Sequence, residues 1–253
     1  MTAAHRGRLL DFSPRESARF GLRIYRGATT AVDVGALLDE IERDRVDVAI
    51  VRVPAESVGL AAALARVGLP AIAADTLMHY SVDLRDRSFA RPTVGLLRIG
   101  QGERDLLEST VRAVFEGYAS HYHANPLFDP ARILDGYVEW ALRHVASGGG
   151  QAAYGVESEN RIVGFSCLRI GPDVTEAAGV LNGILPAQRR RGFYRAMLQA
   201  TLAHVAAQGA TRFRIATHAH NVAVQRTWIS EGFMLERAES TVHVNALRSH
   251  GRA

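Results

Sequence analysis

The chain has 253 residues, 47% hydrophobic and 22% charged, with a formal net charge of +4; this is the composition of a globular protein of one large or two modest domains. It contains no lysine, so all 30 basic residues are arginine, which excludes a Schiff-base lysine, a pyridoxal phosphate attachment and a Walker-type phosphate lysine. No stretch reads as a membrane span, and the mild, dispersed charge gives nucleic-acid binding little support.

Residues 1–10 lack the apolar centre of a secretory signal. Alternating patterns follow. Leu22 to Tyr25 reads as a strand, Val34 to Arg43 as a helix striped by Leu37, Leu38 and Ile41, and Val46 to Val53 as a β-branched strand. Ser57 to Val67 reads as a helix stopped by Gly68, and Ala71 to Val82 contains another strand, completing a small β-α-β-α-β unit. The charged segment Arg85 to Pro92 marks the best boundary.

Beyond it, Val94 to Ile99 reads as a strand and Glu103 to Tyr118 as a helix with Leu107, Val111, Val114 and Phe115 on one side. A polar loop, 119–128, precedes Asp129-Pro130, a cap and first-turn proline that start a helix running to about Ser147. Ala152 to Val156 and Ile162 to Ile170 form a hairpin around 157–160, and Gly179 to Leu185 is a further strand. The lone Cys167 lies within the hairpin's apolar run; it excludes an internal disulfide framework and fits a buried, inert thiol in a reducing, cytoplasmic setting. A helix carrying Met197, Leu198, Thr201, Leu202 and Val205 closes at Gly209, Phe213 to Thr217 alternates as a strand, Asn221 to Ser230 is a short helix ended by Gly232, and Phe233 to Val244 is a final strand.

The informative stretch is Ile184-Leu185-Pro186-Ala187-Gln188-Arg189-Arg190-Arg191-Gly192-Phe193-Tyr194. A strand ends at proline, a basic turn follows, and a helix begins at Gly192. Free backbone N–H groups, the positive end of a helix dipole and three guanidiniums then share one place, which suits a pyrophosphate.

This order resembles the acyl-CoA-binding turn of the GNAT acetyltransferase superfamily, with Ile184, Pro186, Arg189 and Gly192 at the motif positions. Arg190 stands where Gly is common and Tyr194 where a small residue usually sits. Thr217 to Phe233 resembles a second superfamily segment, with Asn221 at the pantetheine-contacting position and Trp228 where a Tyr usually protonates the departing thiolate. An indole N–H donates a hydrogen bond but does not release its proton, so thiolate loss would draw on water or on another acid such as Tyr194. The order β-α-α-β-β-β-α-β-α-β over 93–244 is also that of the superfamily.

The resemblance implies an α/β protein with a mixed sheet: a GNAT acyltransferase domain at 92–247, preceded by a smaller β-α-β-α-β domain at 1–91 and followed by a tail at 248–253. Among GNAT enzymes the architecture, with Phe20-Gly21 near the start, is similar to dTDP-fucosamine (4-amino-sugar) acetyltransferases. It implies acetyl-CoA as the cofactor, bound by Ile184, Leu185, Arg189, Arg190, Arg191, Gly192, Phe193, Tyr194, Asn221 and Arg226, and an oxyanion-stabilising N–H near Leu185. The partner is a small-molecule amine, with a homodimer as an allowed state. His121 and His123 are the expected bases, with Trp228 and Tyr194 the other catalytic candidates; Tyr122, Asn125, Asn182 and His218 are expected to meet the acceptor. His218 and His220 share a strand face, near the acceptor or simply packed. The two His-x-His pairs lack a third ligand, so no metal is expected. Alternatives are an acetyltransferase of another amine metabolite or antibiotic, and a CoA-binding protein without transfer activity.

Overall fold

The computed structural model describes residues 8–30, 32–146 and 149–247. In chain order the elements are β1 (Asp11–Phe12), α1 (Pro14–Phe20), β2 (Ile24–Ala28), α2 (Val34–Asp44), β3 (Val48–Pro54), α3 (Leu60–Arg66) and β4 (Ala71–Asp83). There follow β5 (Gly95–Arg98), α4 (Arg104–Phe115), α5 (Pro130–Ala146), β6 (Gln151–Ser158), β7 (Arg161–Ile170), β8 (Glu176–Ile184), α6 (Phe193–Ala207), β9 (Arg212–His218), α7 (Val222–Ser230) and β10 (Met234–Asn245). From β2 onward, kind and order agree with the sequence reading; β1 and α1 were not expected. The expected tail, 248–253, and the helix end at Ser147-Gly148 lie outside the described residues.

The chain forms two compact units. The first holds the described parts of Met1–Leu77, Ala119–Arg132 and Arg237–Ala253, and the second holds Met78–Tyr118 and Ile133–Glu236. A single cut near residue 91 therefore does not describe the packing: 119–132 and the end of β10, read as parts of the later domain, pack in the first unit.

The reason lies in β3. Val48 to Val53 is apolar on both faces, and a strand of that kind must be covered twice. In the first unit β3 pairs in parallel with β2 and antiparallel with β10, Val48 opposite Asn245 and Val53 opposite Ser240. One face, with Ala49, Val51, Val53, Val242 and Val244, buries Leu37 and Ile41 of α2 and Leu60 and Leu64 of α3. The other, with Ile24, Val48 and Ile50, is covered by Phe128, Tyr122 and Phe20. The 119–128 segment is thus a lid on a sheet rather than a solvated loop. Phe20-Gly21 ends a helix the sequence reading missed: Pro14 starts α1, and Gly21 closes it at φ 70.

In the second unit β5, β6, β7 and β8 are antiparallel neighbours, and β8 runs parallel to β9. α4 and α5 bury Leu107, Val111, Phe115, Val138 and Ala141 against Phe165, Cys167 and Leu181 on one face. α6 and α7 bury Leu198, Leu202, Val205 and Trp228 against Tyr154, Phe213 and Ile215 on the other. Asp129 Oδ1 accepts from the Ala131 N–H at 3.0 Å, the expected cap of α5. α4 stops at Phe115, three residues short of the sequence reading, because the chain turns left-handed at Gly117 (φ 68). Cys167 is fully buried and its thiol is pushed up by burial, as expected of an inert side chain.

Candidate active site

The site starts from a defect in β8. Its register against β7 runs Cys167 to Leu181 and then Leu168 to Gly179, so Val180 is an extra residue. β9 pairs with β8 only from Glu176 to Gly179, and beyond the bulge the two strands part. Leu185 N–H donates to Val163 O at 2.9 Å. Antiparallel bonding alternates by residue, so the amides of Asn182 and Ile184 point the other way, into the gap that β9 leaves. The Leu185 amide is itself engaged; near it, those of Asn182 and Ile184 face the opening.

Past β8 comes the basic turn. Gly192 caps α6 at φ 81, and Arg190 is itself left-handed at φ 61. The residue standing in place of a common Gly has thus adopted a glycine-like conformation, at a cost of about 1–2 kcal/mol. The first-turn amides of α6 have no intrahelical acceptor, and a Cβ built on Gly192 would meet nothing within 4 Å, so a diphosphate can approach the backbone. The three guanidiniums do not all converge. Arg189 turns inward, Nε donating to Ile184 O at 3.3 Å and Nη2 to Val114 O at 2.9 Å, and so braces the end of β8 to α4. Arg191 donates to Gln188 Oε1 at 2.6 Å and lies over Phe193, while Arg190 is exposed.

On the α6 side of the gap, Trp228 Nε1–H donates to Tyr194 Oη at 3.0 Å. Trp228 is 1% exposed, with Tyr80 edge-on at 5.5 Å. Burial pushes the Tyr194 phenol up, and the Trp228 hydrogen bond opposes that shift. Where β9 ends, His218 and His220 stack with centroids 5.4 Å apart and planes 4° apart, and Tyr118 lies 5.9 and 6.2 Å from the two rings. Asn221 Nδ2 donates to Thr217 Oγ1 at 3.0 Å. Asn182 is half-buried and Arg226 exposed. Tyr118 was missed because it closes a helix pattern and belongs to no motif.

His121, Tyr122, His123 and Asn125 lie in the other unit, bound locally. Tyr122 Oη donates to Glu16, whose carboxylate also meets Arg26 at 3.3 Å. The Leu127 amide can only donate, and it points at Asn125 Oδ1 (3.1 Å). That orients Asn125, so its Nδ2 donates to Asn245 Oδ1 (2.8 Å) and to His243 Nδ1 (3.3 Å). His243 Nε2 and His121 Nδ1 share a hydrogen bond at 2.9 Å, and the Arg26 guanidinium, which only donates, meets His121 Nε2 at 3.5 Å. His123 Nδ1 accepts the Ser120 N–H at 3.1 Å. A neutral imidazole whose bare nitrogen is already engaged has no lone pair for an incoming proton. The expected base role of His121 and His123 is therefore corrected to a structural one, and Tyr122 and Asn125 likewise hold the sheet cover. His243 was missed, although Thr241, His243 and Asn245 form a polar alternation opposite Val242 and Val244.

Residues 114–233 match the model of the acetyltransferase (GNAT) family. This part of the chain is similar to GNAT acetyltransferases. Its bulge, gap and turn all fall inside the match. Among solved structures the chain is similar to a GCN5-related N-acetyltransferase from Sphaerobacter thermophilus, at 13% identity, 92% coverage of this chain, 75% of that one and a TM-score of 0.60. A functionally unknown conserved protein from Staphylococcus epidermidis aligns at 12% identity over 96% of this chain and 94% of that one, with a TM-score of 0.61. A GNAT-family protein from Novosphingobium aromaticivorans aligns at 20% identity and a TM-score of 0.47 over 68% of this chain, which spans 64% of that relative. The first two likenesses speak for the fold alone. No curated protein matches the chain. Among the described residues no helix is long and apolar enough to cross a membrane, and no group of three or more His, Cys, Asp or Glu is placed to hold a metal ion.

Proposed function

We propose that the chain is an acetyl-CoA-dependent N-acetyltransferase that acts by direct transfer on the amine of a small molecule, a nucleotide-linked amino sugar. The observation that carries this reading is the gap beyond Gly179, open at the same end of the strands as the α6 first turn. The turn suits a diphosphate and the free edge of β8 suits an extended, amide-bearing arm, which adds to it as a strand would. Bound there, acetyl-CoA supplies a thioester-activated acetyl group.

The chain's own residues do the rest. The Asn182 and Ile184 amides stabilise negative charge developing on the carbonyl oxygen. His218 and His220, where β9 ends, take the proton that the ammonium must lose, directly or through water. The amine nitrogen bonds to the acetyl carbon, the carbon–sulfur bond breaks, and the departing sulfur takes a proton. Direct transfer is supported by the only cysteine, Cys167, which is sealed in the core and cannot carry the acetyl group. The sugar acceptor is supported by the similarity in architecture and by the rings of Tyr118, His218 and His220, which offer stacking area with polar tips.

Free thiol released from acetyl-CoA, measured against a panel of amines that includes amino-sugar nucleotides, tests the reading. Amine-dependent release is expected, fastest with an amino sugar. Binding of acetyl-CoA without any amine-dependent release would overturn it in favour of a non-transferring CoA-binding protein.

A further inference from the structure

At the position where the resemblance expects an acid stands Trp228, which cannot release a proton, so the proton for sulfur comes from another side chain or from water. Tyr194, in the first turn of α6, packs against the cluster that holds Ile184 and Met197 and against the cluster that holds Phe213, Ile215 and Trp228.

The hydrogen bond between Trp228 and Tyr194 has a fixed sense. An indole N–H only donates, so it occupies a lone pair of Tyr194 Oη and the phenolic hydrogen must point away from Trp228. Trp228 has little freedom to relax, being held by Tyr80 and by Phe233 at 6.2 Å. Tyr80 is fixed in turn, donating to Gln225 Oε1 at 3.0 Å.

We propose that Tyr194 is the catalytic acid and Trp228 its positioning residue, the acid having moved from α7 to the first turn of α6. This rests on the acetyltransferase reading above. As the carbon–sulfur bond breaks, Tyr194 Oη–H gives its proton to sulfur. The phenolate so formed keeps the Trp228 N–H as its donor, and it recovers a proton from water before the next turnover.

Turnover and acetyl-CoA affinity of Tyr194→Phe, Trp228→Phe and the double variant, each checked for folding by circular dichroism, test the proposal. Tyr194→Phe should lose on the order of 100-fold in kcat with acetyl-CoA Kd within about threefold. Trp228→Phe should lose about tenfold, as one hydrogen bond allows. Because Trp228 acts through Tyr194, the double variant should be no slower than Tyr194→Phe alone. Losses that multiply, to about 1,000-fold, would overturn the positioning role. A Tyr194→Phe enzyme as fast as the parent would overturn the acid, and it decides that point even if Trp228→Phe does not fold. A parent that releases no thiol with any amine would instead sink the acetyltransferase reading itself.

Discussion

His243 is fully buried in the first unit, between His121 and Asn125. Burial, followed by the nearby Arg26 guanidinium, lowers its pKa to about 4, with Asp75 and Glu16 acting in the opposite direction. An unfolded histidine titrates near 6.5. Between those values the unfolded chain binds a proton that the folded chain does not. Stability is therefore intact above pH 6.5 and falls as the pH drops toward 4. At 1.36 kcal/mol per unit, the full gap is worth about 3 kcal/mol and the part above pH 5 about 2 kcal/mol. His144 and His204 are shifted down by burial as well, so the His243 share must be isolated by substitution. His243→Gln removes the titration while keeping a side-chain N–H for His121. Both tryptophans, Trp140 and Trp228, lie in the second unit, so their fluorescence is a poor probe of this event. Hydrogen exchange of β3 and β10 amides, corrected for intrinsic rates, reads it directly. On going from pH 7 to pH 5 the parent should lose about 2 kcal/mol more protection than His243→Gln. Equal losses would refute the burial argument.

Three further outcomes follow from single contacts. Gly192→Ala should lose about 1 kcal/mol of stability through its left-handed φ of 81 and more than about tenfold in CoA affinity, measured by thermal unfolding and calorimetry. Arg189→Ala removes the tie between Ile184 O and Val114 O and should lose about 1 kcal/mol, seen as a melting point lower by about 2–4 °C, while the salt dependence of CoA binding stays as in the parent. Gly183→Ala would place a Cβ 2.3 Å from Val114 Cγ1 and should destabilise the second unit by about 1–3 kcal/mol, with β3 exchange in the first unit unchanged.

The elements were legible because each carried a local signal: β-branched runs, amphipathic stripes, Asp129-Pro130, and glycines at helix ends. The turn was legible for the same reason, since Gly192 and its neighbours are contiguous. What the sequence hid is whatever depends on distant partners. Nothing local says that Arg189 faces carbonyls, or that 119–128 covers β3 instead of meeting solvent. The histidines of that segment looked like bases because residue type is visible and tautomer is not. Their partners are a backbone amide, Arg26 and His243, the last two about a hundred residues away. The bulge at Val180 was equally invisible, because an extra residue in a strand shows only against its partner.

Position 228 shows how packing and chemistry compete for one side chain. It must fill the space beneath Tyr80 and Phe233, where a fully buried ring removes roughly 200 Å² of apolar surface from water. It must also deliver a hydrogen-bonding group toward the gap. A tyrosine there would put a smaller ring in the core, with a hydroxyl able to lose its proton. Tryptophan fills the space better but offers only an N–H. Tyr194, on the neighbouring helix and at a position where the motif expects a small residue, supplies the missing hydroxyl within hydrogen-bond reach of that N–H. The two departures from the family pattern, each awkward alone, are complementary as a pair. A small residue at 194 alone would leave the Trp228 N–H with nothing to bind, so the two positions should be exchanged together.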